Sequence, residues 1–313
     1  MRGALSVSMA VSVAVSIAAV LVAGTACSDE PVVDSKQPVP TTSAPTPTSA
    51  APTVAPRWFD ADRAMATVRL LAGRLGPRLA TGPTYAEAAV ALWPRLVSAG
   101  YDVRRQRFPV PAGDSWGVPV EAGRSFNVVA EPPGFDRASP YVVVGAHLDT
   151  VAVAPGAEDN ASGVAVVMEL ARVLEGAPQV VLVVFGGEEP RGPGDLHHFG
   201  SKRYGEEAGD VSAMVALDRV GVGDRVPLAS AAGASTTIRD QLARVARRLD
   251  IPTTVGTNDA SDHESFADAG IPAARVGGTP YAAYHSAEDV PSVVRRDQLE
   301  RVGRLLTVWL RDR

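Results

Sequence analysis

The sequence predicts an α/β domain whose sheet is covered by helices on both faces, a three-layer α/β/α sandwich. Three observations point there. From Trp58 onward, strand-like runs alternate with helix-like runs, the order that places helices on both sides of a sheet. Two of the strand-like runs, Tyr141 to Ala146 and Val180 to Phe185, carry no charged side chain, as expected of strands buried on both faces. Charged groups then follow those runs directly, at His147, Asp149, Glu188 and Glu189. Open α/β sheets carry their sites at those strand ends.

Each element has its own signal. Asp60 to Leu75 has helical spacing through Ala64, Val68 and Leu71, with Gly76-Pro77 as a stop. Thr84 to Ala99 is a second helix, ended by Gly100. Val103 to Val110 alternates as a strand, and Phe126 to Ala130 is another. Tyr141 to Ala146 is the most apolar run and is expected at the centre. Ser162 to Leu174 is a helix, and Val180 to Phe185 a buried, β-branched strand. Val211 to Leu217 is a further strand. Thr236 to Leu249 and Leu299 to Arg311 are amphipathic helices, with a short strand near Ala274-Arg275-Val276 between them.

Residues before Trp58 read differently. Arg2 precedes a mostly apolar stretch, Ala4 to Ala23, followed by the small residues Gly24, Thr25 and Ala26. This is secretory signal architecture over residues 1–26. Four serines dilute the stretch, which argues against a retained membrane helix. The single cysteine, Cys27, excludes a disulfide within one chain. Its context, Ala23-Gly24-Thr25-Ala26-Cys27, resembles a bacterial lipobox, with Gly24 where an aliphatic residue is usual. It predicts a lipid anchor at Cys27, the alternative being secretion after cleavage behind Ala26. Residues 27–57 are rich in Pro, Thr and Ser and read as an extended tether. One domain over residues 58–313 remains. The net charge of −5, without a long basic run, argues against nucleic acid as a partner.

The charged groups form a pattern. Glu188 and Glu189 close a buried strand, where two like charges are costly unless a cation pairs them. His147 and Asp149, at i and i+2 of extended chain, share one face. That suits a metal-ligating imidazole with a carboxylate beside it. Asp159 precedes a helix, Asp218 ends a strand, and His285 sits in a loop. Mixed imidazole and carboxylate donors suit zinc, with manganese or cobalt as other candidates.

Order and spacing together resemble the M28 family of zinc aminopeptidases, secreted bacterial di-zinc exopeptidases. The matching stretches are Gly145 to Thr150, Asp159 to Gly163, Glu188-Glu189, Gly200-Ser201 with Tyr204, and Leu217-Asp218. Ser261-Asp262-His263 with Phe266, Gly270 to Ala273, and Tyr284 to Asp289 complete them. The resemblance covers about residues 62 to 313 and implies the zinc-exopeptidase fold with a central mixed, mostly parallel sheet. It implies that Asp159 bridges two zinc ions, with His147 and Asp218 completing one site and Glu189 and His285 the other. It also implies Glu188 as general base, Tyr284 as donor to the oxyanion and Asp149 behind His147. Peptide or protein N-termini are the implied substrates, and a monomer the implied state. Glutaminyl cyclases share the fold, and a non-catalytic peptide-binding module on it is the rival from another class.

Two departures from the family pattern stand out. The segment Pro190 to Phe199 is longer than in many members, and its His197 and His198 are expected on the surface. Arg219 follows Asp218 where the family commonly has Met. It either pairs with a substrate carboxylate or rim acid, or turns outward. His263 is expected to be structural rather than a ligand.

Overall fold

The computed structural model describes residues 57–313. The expected leader, Cys27 and all of the tether but its last residue lie outside the described residues. Helix α1 (Ala61–Val68) starts at Asp60, whose carboxylate accepts from the N–H groups of Asp62 (2.9 Å) and Arg63 (3.3 Å), satisfying donors a helix start leaves open. It continues into a wider π-type stretch, Arg69–Leu75, that stops at Gly76. Helix α2 (Pro83–Ser98) begins on a proline, which loses no helix bond there, and runs through Pro94.

Strands β1 (Asp102–Val110), β4 (Gly123–Glu131), β5 (Tyr141–His147) and β6 (Val180–Phe185) lie near the expected positions, with a small hairpin, β2 (Gly113–Ser115) and β3 (Val118–Val120), between β1 and β4. Helix α3 (Ser162–Leu174) links β5 to β6. Then come α4 (Phe199–Glu206), β7 (Val211–Leu217), β8 (Val226–Ser230) and α5 (Thr237–Arg248). The chain ends with β9 (Thr253–Thr257), α6 (His263–Asp268), β10 (Ala273–Val276) and α7 (Arg296–Arg311). The eight-stranded sheet runs β1-β4-β6-β5-β7-β10-β8-β9. β5 pairs in parallel with β6 and with β7, β7 with β10, and β8 with β9. The pairs β1/β4, β4/β6 and β10/β8 are antiparallel. The sheet is mixed, with a parallel centre.

The period-2 geometry of a strand divides the core. Val142, Val144, Ala146, Leu182, Val184, Val215 and Leu217 face one layer, with residues of α1, α2, α3, α5 and α7. Tyr141, Val143, Val181, Val183, Phe185, Met214 and Ala216 face the other, with Tyr204 of α4 and Phe266 of α6. Each fully buried Val or Leu contributes about 1.5–3 kcal/mol, so the central strands are held from both sides. That rigid centre sets β5, β6 and β7 side by side with their carboxyl ends on one edge. Among the described residues no helix is long and apolar enough to cross a membrane.

Candidate active site

Those three parallel strands deliver most of the expected residues to one place. His147 is the last residue of β5, Asp218 follows β7, and Glu188 and Glu189 follow β6 after Gly186-Gly187. Gly187 turns there at φ +65°, a conformation glycine adopts without strain. Asp159 lies in a π-type turn, Ala157–Ala161, that leads into α3. The Asp289 carboxylate fixes that turn, accepting from the N–H of Glu158 (2.8 Å) and Asp159 (3.1 Å). Asn160 ties it to β7 by donating to the Leu217 carbonyl (2.7 Å). A Cβ on Gly163 would stand 2.5 Å from both Asn160 Oδ1 and the Leu217 carbonyl oxygen, so only glycine fits. His285 is held in its loop by aromatic contacts. Tyr284 stacks on it with ring centroids 3.8 Å apart, and Trp116, at the tip of the β2–β3 hairpin, meets it edge-on at 4.3 Å.

The donors converge. His147 Nε2 is 3.2 Å from Asp159 Oδ1 and 3.7 Å from Asp218 Oδ1. His285 Nε2 is 3.2 Å from Asp159 Oδ2 and 3.2 Å from Glu189 Oε2. His147, Asp159 and Asp218 form one three-donor group, and Asp159, Glu189 and His285 another, each within 4.8 Å. His147, Glu188 and Glu189 make a third, overlapping group. All six side chains are buried, and His147 Nε2, Asp218 Oδ1 and Glu189 Oε1 have no hydrogen-bond partner. Ligand atoms around a tetrahedral zinc stand about 3.3 Å apart. Buried, unpartnered donors at that spacing, with imidazole and carboxylate chemistry, fit zinc.

The electrostatics point the same way. Burial and the neighbouring Asp159 charge push the Glu189 carboxyl up to about 8. Burial opposes charge on His285, but Asp159 and Glu189 outweigh it and push the imidazole up to about 10. Burial also opposes charge on His147, and Glu188, Asp159 and Asp218 together hold its pKa well above the usual histidine range. Burial would raise Asp218, yet Arg275 and His147 hold it far below the usual carboxylate range. Packed carboxylates here draw positive charge from every available group.

Some expected residues sit differently. The Asp149 carbonyl, not its carboxylate, takes His147 Nδ1 (3.1 Å); the nearer carboxylate oxygen is 3.9 Å away. That carboxylate instead accepts the N–H groups of Glu188 and Glu189, each at 3.2 Å. His198 is not on the surface: it is 3% exposed, with Nε2 3.3 Å from Glu188 Oε1. The rim loop folds inward because the His198 N–H donates to the Glu188 carbonyl (3.0 Å) and that of Phe199 to Gly187 (2.8 Å). His197 is half-buried. Arg219 faces the cavity, its guanidinium 4.6 Å over the Tyr284 ring and its Nε 3.8 Å from Asp218 Oδ1. His263 is buried and bonded to the Asn258 carbonyl (2.7 Å), away from the donor groups. Two further contributors were missed in the sequence. Arg275 of β10 reaches Asp218 Oδ2 at 2.7 Å, and its signal was a lone cation in an apolar strand. Trp116 had no signal beyond being an aromatic in a turn.

A cavity of about 250 Å³ opens onto these groups, and Pro190, His197, Arg219, Asp259 and Tyr284 rim it. A larger groove of about 1000 Å³ lies at the opposite ends of the strands, near Tyr141, Val180 and Ser212, and holds no such cluster. The model of peptidase family M28 matches residues 127–310, a span that takes in every donor named above. The chain belongs to peptidase family M28. Aminopeptidase YwaD of Bacillus subtilis is 29% identical over 185 residues, 53% of this chain and 39% of that protein. The chain thus spans well under two thirds of that relative's length. Among solved structures, BSAP, a zinc aminopeptidase from Bacillus subtilis, superposes with a TM-score of 0.71 at 18% identity, over 81% of this chain and 95% of that one. Porphyromonas gingivalis glutaminyl cyclase does so with a TM-score of 0.71 at 22% identity, over 81% and 98%. At these identities both likenesses speak for the fold, and the M28 membership rests on the family match.

Proposed function

We propose that this M28 domain is a metallo-aminopeptidase that removes N-terminal residues from peptides or proteins. One observation carries the reading. Asp159 places Oδ1 3.2 Å from His147 and Oδ2 3.2 Å from His285, so a single carboxylate joins two donor groups. His147, Asp159 and Asp218 would hold one zinc ion, and Asp159, Glu189 and His285 would hold the other; manganese or cobalt suits the same donors. Bound there, the ions supply Lewis acidity, which polarises a carbonyl and acidifies water. The rest is done by the chain. Glu188, facing the cavity beside both groups, accepts a proton from the attacking water and returns it to the leaving amine. Tyr284, at the rim, donates its hydroxyl to the developing oxyanion. The acidic lining receives the ammonium of a free N-terminus, which makes the activity exopeptidic. Arg219 bounds the space for the side chain being removed.

The wider organisation belongs to the same proposal. A leader over residues 1–26 directs export, Cys27 carries a lipid anchor, and a tether to residue 57 holds a monomeric peptidase domain off the membrane.

The test combines metal content with turnover. The purified chain is assayed with free and N-acetylated aminoacyl substrates and with N-terminal glutaminyl peptides, beside Glu188→Gln. Two zinc ions per chain and cleavage of free substrates alone are expected. Glu188→Gln keeps its metal and loses about 10²–10⁴ in kcat, the usual worth of a general base. Cleavage of blocked substrates would sink the exopeptidase reading. A product lighter by ammonia would make the protein a cyclase, and bound metal without turnover a binding module.

A further inference from the structure

The rim loop carries donors that the proposed chemistry does not use. We propose that His197, His198 and Glu264 form a third metal site, separate from the donor groups at the strand ends, for a divalent cation of zinc type.

Geometry is the first support. One donor atom from each of the three residues lies within 4.8 Å of the other two. His198 Nδ1 stands 3.2 Å from Glu264 Oε2. Nδ1 is buried, and the contact is a close ionic one rather than a well-aligned hydrogen bond. With His197 beside them, an imidazole nitrogen and a carboxylate oxygen this close offer ligand atoms that one ion can gather. Their separation matches the edge of a zinc tetrahedron, about 3.3 Å.

The surroundings are the second support. His198 directs its other ring nitrogen, Nε2, at Glu188 Oε1, 3.3 Å away. A ligating imidazole commonly offers its second N–H to a carboxylate, which fixes the ring and the tautomer. His197 crosses the His198 ring edge-on with centroids 4.0 Å apart, bringing a second imidazole to the same spot. The backbone around them is set. His198 stands in the left-handed region, φ +57°, immediately before α4, and Glu264 lies in the first turn of α6. His197 and Glu264 are both partly exposed, so an ion has an entry path and a coordination position open to solvent. Two imidazoles and one carboxylate make a borderline donor set that favours zinc over magnesium or calcium.

The site has a consequence at the cavity. An ion on Nδ1 leaves the His198 Nε2–H directed at Glu188, so occupancy sets the hydrogen bond that this carboxylate receives. That consequence rests on Glu188 being the base; the site itself does not.

The test titrates Zn²⁺ by calorimetry into the full chain prepared with two zinc ions bound, with bound metal counted after equilibrium dialysis. One further equivalent is expected beyond the strand-end ions. His197→Ala and Glu264→Gln should each weaken that equivalent by about tenfold or more, since even a residue behind a ligand is worth that much, while the earlier equivalents stay bound. Both side chains are partly exposed, and Glu264→Gln keeps shape and packing, so folding is retained; near-ultraviolet circular dichroism checks it. No further equivalent in the native chain, or an equally tight one in the His197→Ala/Glu264→Gln double variant, would overturn the proposal. Either result leaves the strand-end count, and with it the aminopeptidase reading, standing.

Discussion

Replacing Arg275 by Met tests whether Asp218 serves a cation. Arg275 is 1% exposed, and its Nη2 stands 2.7 Å from Asp218 Oδ2. Its Nη1 donates to Asn258 Oδ1 (2.6 Å) and to the Ala260 carbonyl (3.0 Å). Methionine fills similar space but leaves the buried carboxylate without its guanidinium. Removing one partner of a buried pair costs about 3–5 kcal/mol, a large part of the 5–15 kcal/mol that holds a typical domain together. Asp218 has a second neighbour for positive charge, because its Oδ1 is 3.7 Å from His147 Nε2 in a three-donor group. A zinc ion there replaces much of the lost charge. The cost of Arg275→Met should therefore be near the full 3–5 kcal/mol in chelated protein and clearly smaller in zinc-loaded protein. Urea unfolding of native and variant chains, each with zinc and with chelator, measures both numbers. A cost that is the same in the two conditions would remove Asp218 from the metal site. A cost below about 1 kcal/mol in chelator would show that the pair is not a working buried contact.

Two other substitutions reach different parts of the structure. Arg219→Met keeps the cavity wall but removes the cation over Tyr284. If Arg219 reads an anionic side chain, kcat/KM for N-terminal Glu or Asp substrates should fall about ten- to hundredfold, matching a charged hydrogen bond of about 1.5–3 kcal/mol, with Leu substrates little changed. Equal losses on both would rule that selectivity out. Gly163→Ala drives a methyl to 2.5 Å from Asn160 Oδ1 and the Leu217 carbonyl. Overpacking of this kind costs about 1–3 kcal/mol, seen as a thermal midpoint lowered by about 2–4 °C per kcal/mol. An unchanged midpoint would mean that the Asp159 turn and β7 are less tightly coupled than their contacts indicate.

What the sequence made legible follows from how each element is stabilised. Strands β5, β6 and β7 are buried on both faces and read as unbroken apolar runs; long helices such as α3 and α7 carry whole turns of periodicity. The donor residues were legible because they break an apolar pattern abruptly at strand ends. Among the elements not anticipated, β9, α4 and α6 lack such contrast. β9 is a mostly exposed edge strand, Thr253-Thr254-Val255-Gly256-Thr257, with almost nothing to bury. α4 and α6, of 8 and 6 residues, are too short for a period to emerge. The inward position of His198 was hidden for another reason. Backbone bonds to Glu188 and Gly187 turn the loop back over the cavity, and no local composition signals a bond between residues ten or more apart. Asp149 was legible as a neighbour of His147 but not in its bonding, because two residues of extended chain leave its carboxylate free to reach the next loop.

That carboxylate is one of three doing the same job, and the pattern explains how so many acids share one edge of the sheet. Asp149, on the β5 loop, accepts both N–H groups of the Glu188-Glu189 pair on the β6 loop. Asp289, near the C-terminal helix, accepts those of Glu158 and Asp159. Glu158, in turn, accepts those of Gly221 and Val222 behind β7, at 2.9 and 3.1 Å. Each loop that presents a donor to the cavity is thus pinned to another loop by a buried carboxylate gripping two consecutive backbone amides. An ionised carboxylate can accept at both oxygens, whereas an amide side chain would turn one of them into a donor facing an N–H. Arg78 supplies the balancing charge from beneath, its guanidinium bonded to the carbonyls of Leu148 (2.9 Å), Pro155 (2.6 Å) and Gly156 (3.0 Å). Burial lowers its pKa to about 10, and Asp149 and Asp289 offset part of that cost. The acids that face the cavity are therefore set by acids that do not. A donor cluster fixed through its backbone can keep its spacing whether or not its charges are paired, which is what a preorganised metal site requires.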